Sequence, residues 1–365
     1  MEVLILIIVL VLLVLVHELG HFIAAKATGM RVDEFGIGYP PRALTMFKKG
    51  ETTYTLNWLP FGGFVKIYGE DGEAHATDGR AFSDKNRFSQ AIVLVAGIAM
   101  NLLFALILIS ASLAIGTPRA LDASEVASAR DASLVISDVV PGSPAAAAGL
   151  VVGDEVKQVI KGDQTFTALD PAAFTPFVAS DAEGTPITFD LVRDGSETLI
   201  SAVPKAGVIP EDPTRPALGV ALAVVGTVPV SPARAIVLGA EYTWAIVAET
   251  ATGLAHFLAS FFTFSADLSQ VSGPVGIAGA VGTAANAGFG ALVSLTAVIS
   301  VNLALINLIP VPALDGGRLL FVIIEAITRR KIKPNVANAV NSIGFALLII
   351  LMVVVTGHDI WKLVG

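Results

Sequence analysis

Cysteine is absent from the 365-residue sequence, and charged residues make up only 15% of it. Without cysteine, disulfides and thiolate zinc sites are excluded, so histidine and carboxylate side chains remain as the main metal ligands. A formal net charge of −8 argues against a nucleic-acid-binding surface, and we expect no nucleic-acid partner. The apolar share of 54% instead indicates a polytopic membrane protein with a soluble portion.

The amino terminus also lacks the basic region of a cleaved signal peptide. Its apolar run, residues 3–25, is long enough to cross a bilayer, so we predict a retained first transmembrane helix within residues 1–27. His17-Glu-Leu-Gly-His21 interrupts that run. Each ionisable group at membrane depth costs about 2.5–3.5 kcal/mol, so the interruption indicates a functional site.

The spacing of this motif suits a metal. On a helix, His17 and His21 lie four residues apart and project from one face, so both imidazoles can bind one Zn²⁺. Glu18 lies close enough to take a proton from a water beside the metal as a general base. The alternative is a chance occurrence of this common helical pattern. A catalytic zinc needs a third protein ligand, which the rest of the chain must supply.

Residues 28–90 are predicted to form a cytoplasmic or membrane-re-entrant β region. Lys48-Lys-Gly-Glu51 is a turn signal, and residues 52–58 are rich in β-branched and aromatic side chains. One interpretation is a cytoplasmic hairpin without a role. The other is a hairpin that dips toward the active site and has an open edge, near residues 52–58 or 61–67, that can pair with an extended peptide. Residues 91–116 are the second predicted span, in which Asn101 is expected to join helices and not to act in catalysis.

The next segments have a mixed character. Residues 117–205 alternate β-like runs with turns and predict one small extracytoplasmic β-rich domain. Its expected elements are a strand starting at 135, a helix starting at Pro144, a strand at 156–160, and a hairpin of 187–193 and 198–203 joined by Asp194-Gly195. Residues 206–290 are predicted as a proline-rich linker followed by a helix at 231–264. Charges recur along that helix, so we expect it to lie on the membrane surface, with a fifth span as the alternative.

Residues 291–327 are too long for one crossing and carry a break at Asn307-Leu-Ile-Pro-Val-Pro-Ala-Leu-Asp-Gly316. Unwound backbone at membrane depth is tolerated only inside protein or beside a watery cavity. Asp315 lies in that break, which makes it the candidate third metal ligand. A structural salt bridge from Asp315 to Arg318 is the alternative. Residues 341–356 form the last predicted span.

The loop at residues 329–333 fixes the expected topology. It carries four basic residues and no acidic one, which places it in the cytoplasm. With four spans, residues 26–90 are then cytoplasmic, and the acidic β-rich domain lies outside the inner membrane. The metal would sit near the cytoplasmic face. A straight helix would place Asp315 deeper than the histidines, so we expect the chain after Gly317 either to project beyond the membrane or to bend.

Together these motifs resemble the site-2 protease family of intramembrane zinc metalloproteases, of the bacterial RseP-like, peptidase M50 type. The first apolar segment fits the family's HExxH, and the break matches NxxPxPxLDG at every fixed position. Residues 117–205 resemble one PDZ domain, and residues 272–277 resemble the stretch before the third core span. One departure is Ala96-Gly-Ile-Ala-Met-Asn101, where the family often has Gly-Pro.

The resemblance implies that His17, His21 and Asp315 bind Zn²⁺ and that Glu18 is the catalytic base. It also implies that residues 35–66 form a membrane-re-entrant β-loop. The expected substrate-binding residues are Asn307 in the broken helix and Tyr54, Leu56, Gly62 and Gly63 on the hairpin.

The expected activity is cleavage within the transmembrane segments of single-span proteins, such as anti-sigma factors or signal-peptide remnants. The alternative is a proteolytically inactive membrane scaffold or chaperone that binds peptides through the PDZ-like domain. Zinc transport fits less well, because the sequence shows one metal site and no further relay of carboxylates along the spans.

Overall fold

The computed structural model describes residues 2–70, 79–179, 184–193, 195–209, 212, 214–262 and 273–364. The chain divides into two compact units, a first unit of Met1–Ser112 with Pro232–Gly365 and a second unit of Leu113–Ser231. The helices are α1 Glu2–Ala27, α2 Arg87–Ile115, α3 Pro144–Ala148, α4 Pro171–Ala179, α5 Pro232–Phe262, α6 Pro274–Asn286, α7 Phe289–Leu308, α8 Asp315–Thr328 and α9 Pro334–Val364. The strands are β1 Val32–Lys49, β2 Thr52–Ile67, β3 Arg119–Ala120, β4 Arg130–Val139, β5 Glu155–Lys161, β6 Gln164–Phe166, β7 Ile187–Arg193, β8 Ser196–Ala202 and β9 Val220–Thr227.

Four of these helices are long and apolar enough to cross a membrane, at Val3–Ala27, Arg87–Ile115, Phe289–Leu308 and Asn335–Lys362. They support the predicted polytopic membrane protein with about four transmembrane helices and a β-rich region. Over the described parts of the chain, α5 is not in this set although it runs for 31 residues. Its placement on the membrane surface therefore stays a prediction.

The predicted hairpin is present, and it is folded back on itself. Gly50, at φ +61°, closes the turn between β1 and β2. Residues 42–49 pair with 52–57, residues 32–37 pair with 63–67, and residues 34–37 also lie beside 53–56. Among the described strands, residues 52–57 are therefore paired on both sides, whereas residues 63–67 are paired on one side only. Of the two edges expected, the one near residues 52–58 is wrong, because β1 bends back and covers it, whereas the one near 61–67 has a single partner at residues 63–67 among the described strands.

The predicted break in the third apolar segment is also present. α7 ends at Leu308, and α8 begins at Asp315. Gly316 and Gly317 pack so tightly on the broken segment that an added Cβ would lie 2.3 Å from the Leu308 carbonyl oxygen and 2.2 Å from that of Val311. The glycines therefore hold α8 against the break. α8 continues as a helix through Gly317 to Thr328, so the bend expected after Gly317 is wrong, and projection of this helix beyond the membrane stays a prediction.

The second unit is built on one antiparallel sheet with the order β3-β9-β4-β5-β7-β8, in which β6 pairs with β5. Its core includes Phe189, Ile136 and Ile187, all almost fully buried, and side chains of this size each contribute about 1.5–3 kcal/mol when buried. The predicted strands and short helix are present. Ser143 caps α3 by accepting a hydrogen bond from the Ala146 amide at 3.2 Å.

One strand of this unit was not anticipated. β9 pairs with β4 along most of its length, although residues 206–230 were predicted to be a linker. The prolines of the segment stand before and after β9, and Val224 within it is buried in the core. Asp194 of the predicted hairpin turn lies outside the described residues, as does Ser272 of the stretch before the third core span.

Candidate active site

Two helices bring the predicted ligands together. His17 and His21 project from α1, and Asp315 is the first residue of α8, 294 positions after His21. The Asp315 Oδ2 lies 2.9 Å from His17 Nε2 and 3.2 Å from His21 Nε2, and the two Nε2 atoms are 3.1 Å apart. Both histidines are 6% exposed. The site is therefore assembled from sequence-distant, largely buried groups.

This arrangement fits a catalytic zinc. Ligands at about 2.0–2.1 Å in tetrahedral directions stand about 3.3 Å from each other, close to the observed separations. The donor set of two imidazole nitrogens and one carboxylate oxygen is a known one for catalytic zinc, and three protein ligands leave a fourth position for reacting groups. Arg318, the alternative partner of Asp315, pairs with Glu70, with Nη1 2.5 Å from Oε1.

One face of α2 supports the two imidazoles. His21 Nδ1 lies 2.8 Å from the Val93 carbonyl oxygen, and His17 Nδ1 lies 3.3 Å from Asn101 Nδ2. Between them, Gly97 leaves room for the rings, because a Cβ there would lie 2.4 Å from His21 Nε2. These three positions are spaced four residues apart. That spacing was visible in the sequence, but nothing in the sequence said which helix would face the histidines.

The glycine inside the histidine motif has a packing role. A Cβ on Gly20 would lie 2.3 Å from the Ala96 carbonyl oxygen, so a larger residue would push α1 and α2 apart. The close approach of the two helices depends on this position. Gly20 thereby lets α2 reach the faces of His17 and His21.

Glu18 lies at the edge of the hairpin. Its Oε2 accepts a hydrogen bond of 3.0 Å from the Val65 amide of β2. Gly63 lies close by, since a Cβ there would stand 3.7 Å from Glu18 Cγ. The carboxylate is therefore adjacent to His17 in sequence and to the backbone of residues 63–67 in space.

The other predicted substrate residues are dispersed. Gly62, at φ +92°, packs on α1, where a Cβ would lie 2.7 Å from Val14 Cγ1. Tyr54 lies between two aromatic residues of the neighbouring parts of β1. The centroid of its ring is 4.4 Å from that of Phe47 and 6.1 Å from that of Phe35. Leu56 is 41% exposed on β2, and Asn307 is half-buried in the last turn of α7.

Comparisons with known proteins agree with this geometry. The profile of Peptidase family M50 matches residues 5–351. A Clostridium perfringens protein named as a zinc metalloprotease is 36% identical over 348 residues, covering 95% of each chain. Zinc metalloprotease RasP of Geobacillus kaustophilus is 30% identical over 442 residues, covering 98% of this chain and 97% of the relative.

The match extends over nearly the whole chain and includes both halves of the candidate metal centre. Zinc is the metal named for these relatives, and it is the metal that the donor set fits. The chain therefore belongs to peptidase family M50 and is a zinc metalloendopeptidase of the site-2 protease type.

Proposed function

We propose that this protease cleaves peptide bonds within the transmembrane segments of single-span membrane proteins, with His17, His21 and Asp315 as zinc ligands and Glu18 as general base. The observation that carries the proposal is the convergence of these ligands from two helices of an apolar bundle, next to an edge strand. Candidate substrates are anti-sigma-factor-like proteins and signal-peptide remnants.

The chemistry divides between metal and protein. Bound zinc supplies Lewis acidity that polarises a carbonyl and makes water acidic enough to lose a proton near neutral pH. Glu18 accepts that proton and delivers it to the leaving amine, the step for which a carboxylate beside the site is suited. Its hydrogen bond from the Val65 amide holds the carboxylate at the hairpin edge, where an extended substrate would lie.

The edge at residues 63–67 is the place for substrate pairing. A helix conceals its peptide bonds, so a substrate must be unwound before cleavage. The Val65 amide points away from the paired strand, toward Glu18. The backbone groups of alternate residues in a strand point to the same side, so those of Gly63 are expected to point that way too. An extended segment paired there would pass directly beside Glu18. Tyr54 and Leu56 lie on the covered segment and would shape the sheet without forming this edge.

The second unit would select substrates outside the membrane. We place the metal centre near the cytoplasmic face of the cell inner membrane, because the basic loop at 329–333 favours the cytoplasm. The PDZ-like unit is then extracytoplasmic. A cavity of about 190 Å³ between β9 and α4, lined by Phe174 and Val178, offers a mainly apolar surface with one cation, Arg215, and one carboxylate, Asp138. It would bind a peptide end or exclude substrates whose outer domain is untrimmed.

The test is Glu18→Gln in the purified full-length protein with a single-span substrate in lipid. We expect zinc to be retained and cleavage to fall by about 10²–10⁴-fold, the usual contribution of a general base. Glu249→Gln, at an exposed position on α5, is the matched control and should cleave normally. Cleavage by Glu18→Gln at the wild-type rate would contradict the assignment of Glu18 as the base. Chelator-insensitive substrate binding without any cleavage would instead favour the inactive scaffold.

A further inference from the structure

Asn101 is fully buried in the middle of α2 with its amide against His17. Its Nδ2 lies 3.3 Å from His17 Nδ1, and its Oδ1 is buried with no hydrogen-bond partner among the described residues. A buried oxygen without a partner costs about 1–3 kcal/mol. The position is therefore unfavourable unless the amide oxygen is used, and the group within its reach is the His17 ring.

The two histidines differ in how their second nitrogen is held. A histidine that binds a metal through Nε2 carries its proton on Nδ1, so Nδ1 needs an acceptor. For His21 that acceptor is fixed, because the Val93 carbonyl at 2.8 Å can only accept. For His17 the facing group is an amide, which presents either nitrogen or oxygen after a half-turn about its Cβ–Cγ bond.

We infer that Asn101 is a positioning residue for the metal centre. Its Oδ1 accepts the hydrogen bond from His17 Nδ1–H in the zinc-loaded enzyme, which fixes the ring orientation and directs Nε2 at the metal. The half-turn gives the unpartnered oxygen a donor and moves Nδ2 to the place of the oxygen, so the change is favoured by the need of the metal-bound ring for an acceptor at Nδ1. Asn101 also makes a contact that does not involve its amide, since the Ser300 hydroxyl of α7 donates to the Asn101 backbone carbonyl at 2.8 Å. This inference rests on the proposed zinc ligands.

The experiment compares two variants of the full-length protein in detergent, Asn101→Leu and Asn101→Asp. Leucine has a similar size and no acceptor, whereas aspartate presents only oxygens. Zinc affinity is measured by competition with a chelator, and the absorption spectrum of the Co²⁺-loaded protein reports the ligand geometry. We expect Asn101→Leu to weaken zinc binding by about 10–100-fold and to shift the Co²⁺ bands, as loss of a ligand's hydrogen-bond partner does elsewhere. Asn101→Asp should stay close to wild type.

Ser300→Ala is the matched control, because it removes a hydrogen bond to the same residue and leaves the amide untouched. Its zinc affinity should be unchanged. Wild-type affinity in Asn101→Leu, or equal losses in both Asn101 variants, would overturn the inference in favour of packing alone. If Asn101→Leu does not fold, Asn101→Ala replaces it with the same expectation. Unchanged zinc affinity in Asp315→Ala would overturn the proposed ligands instead.

Discussion

Gly97→Ala gives a sharp test of the metal centre, because the change adds one methyl group and removes nothing. The new Cβ would lie 2.4 Å from His21 Nε2 and 2.9 Å from His17 Cε1, whereas an ordinary contact needs at least about 3.4 Å. The His21 nitrogen must therefore move by about 1 Å. Metal–ligand distances tolerate about 0.2 Å, so a shift of that size removes the ligand from the zinc.

The helices cannot absorb this methyl group without cost. A Cβ on Gly20 would already lie 2.3 Å from the Ala96 carbonyl oxygen, which shows how closely α1 and α2 approach each other. Separating them by about 1 Å would give up much of the dispersion energy at their contact. The imidazoles are thus the groups expected to move. We expect zinc affinity to fall by about 100-fold, or roughly 2.7 kcal/mol at 1.36 kcal/mol per tenfold.

The assay is chelator competition on the purified full-length protein, followed by substrate cleavage at saturating zinc. Gly279→Ala on α6 is the matched control, because no atom lies within 4 Å of its added Cβ. It should bind zinc and cleave as the wild type does. Wild-type zinc affinity in Gly97→Ala would refute the packing of the imidazoles on α2, and it would remove the basis for the role of Asn101 as well.

Three further outcomes are expected. Arg318→Glu should lower kcat/KM, because the Arg318–Glu70 ion pair joins α8 to the segment after β2. Adding Glu70→Arg to the same chain should restore part of the lost kcat/KM. A double variant with a kcat/KM as low as that of Arg318→Glu would contradict this coupling. Asp154→Asn breaks the two-bond ion pair between the buried Asp154 and Arg193, and it should lower the free energy of unfolding by about 2–3 kcal/mol. The rate of amide hydrogen exchange in β5 should therefore rise about 30-fold or more. An unchanged exchange rate would argue against a stabilising role of the pair. Removing zinc with a chelator should abolish cleavage and adding it back should restore activity; cleavage that survives chelation contradicts a catalytic metal.

The parts of this site that follow from local spacing were predictable. Four-residue spacing fixes His17 and His21 on one face of any helix, and two prolines in Pro310-Val-Pro312 cannot continue one. The sequence also singled out Asp315, because a carboxylate in unwound apolar backbone needs a partner. These inferences needed no knowledge of how the helices pack.

The supporting groups were not predictable, because they depend on which helices cross and where. The prediction that Asn101 joins helices is confirmed by its contacts with α1 and α7, but the sequence did not show that its amide would face His17. Gly97 matters only because its Cα lies against two rings. The covered position of residues 52–57 likewise depends on a bend in β1, and a bend of this kind leaves little trace in an alternating pattern. Tertiary contacts decided each of these points.

The pairing of β3 with β9 has a consequence for how the protein is assembled from parts. Arg119 pairs with Gly226 and Ala120 with Val225, so the chain enters and leaves the second unit on neighbouring strands, about 4.8 Å apart. A segment whose two ends meet can be exchanged, enlarged or deleted through a short junction, with no need to reroute the chain on either side. The second unit can in this sense be exchanged as a whole, and with the role proposed for it, the selection of substrates would diverge while the metal centre stays the same.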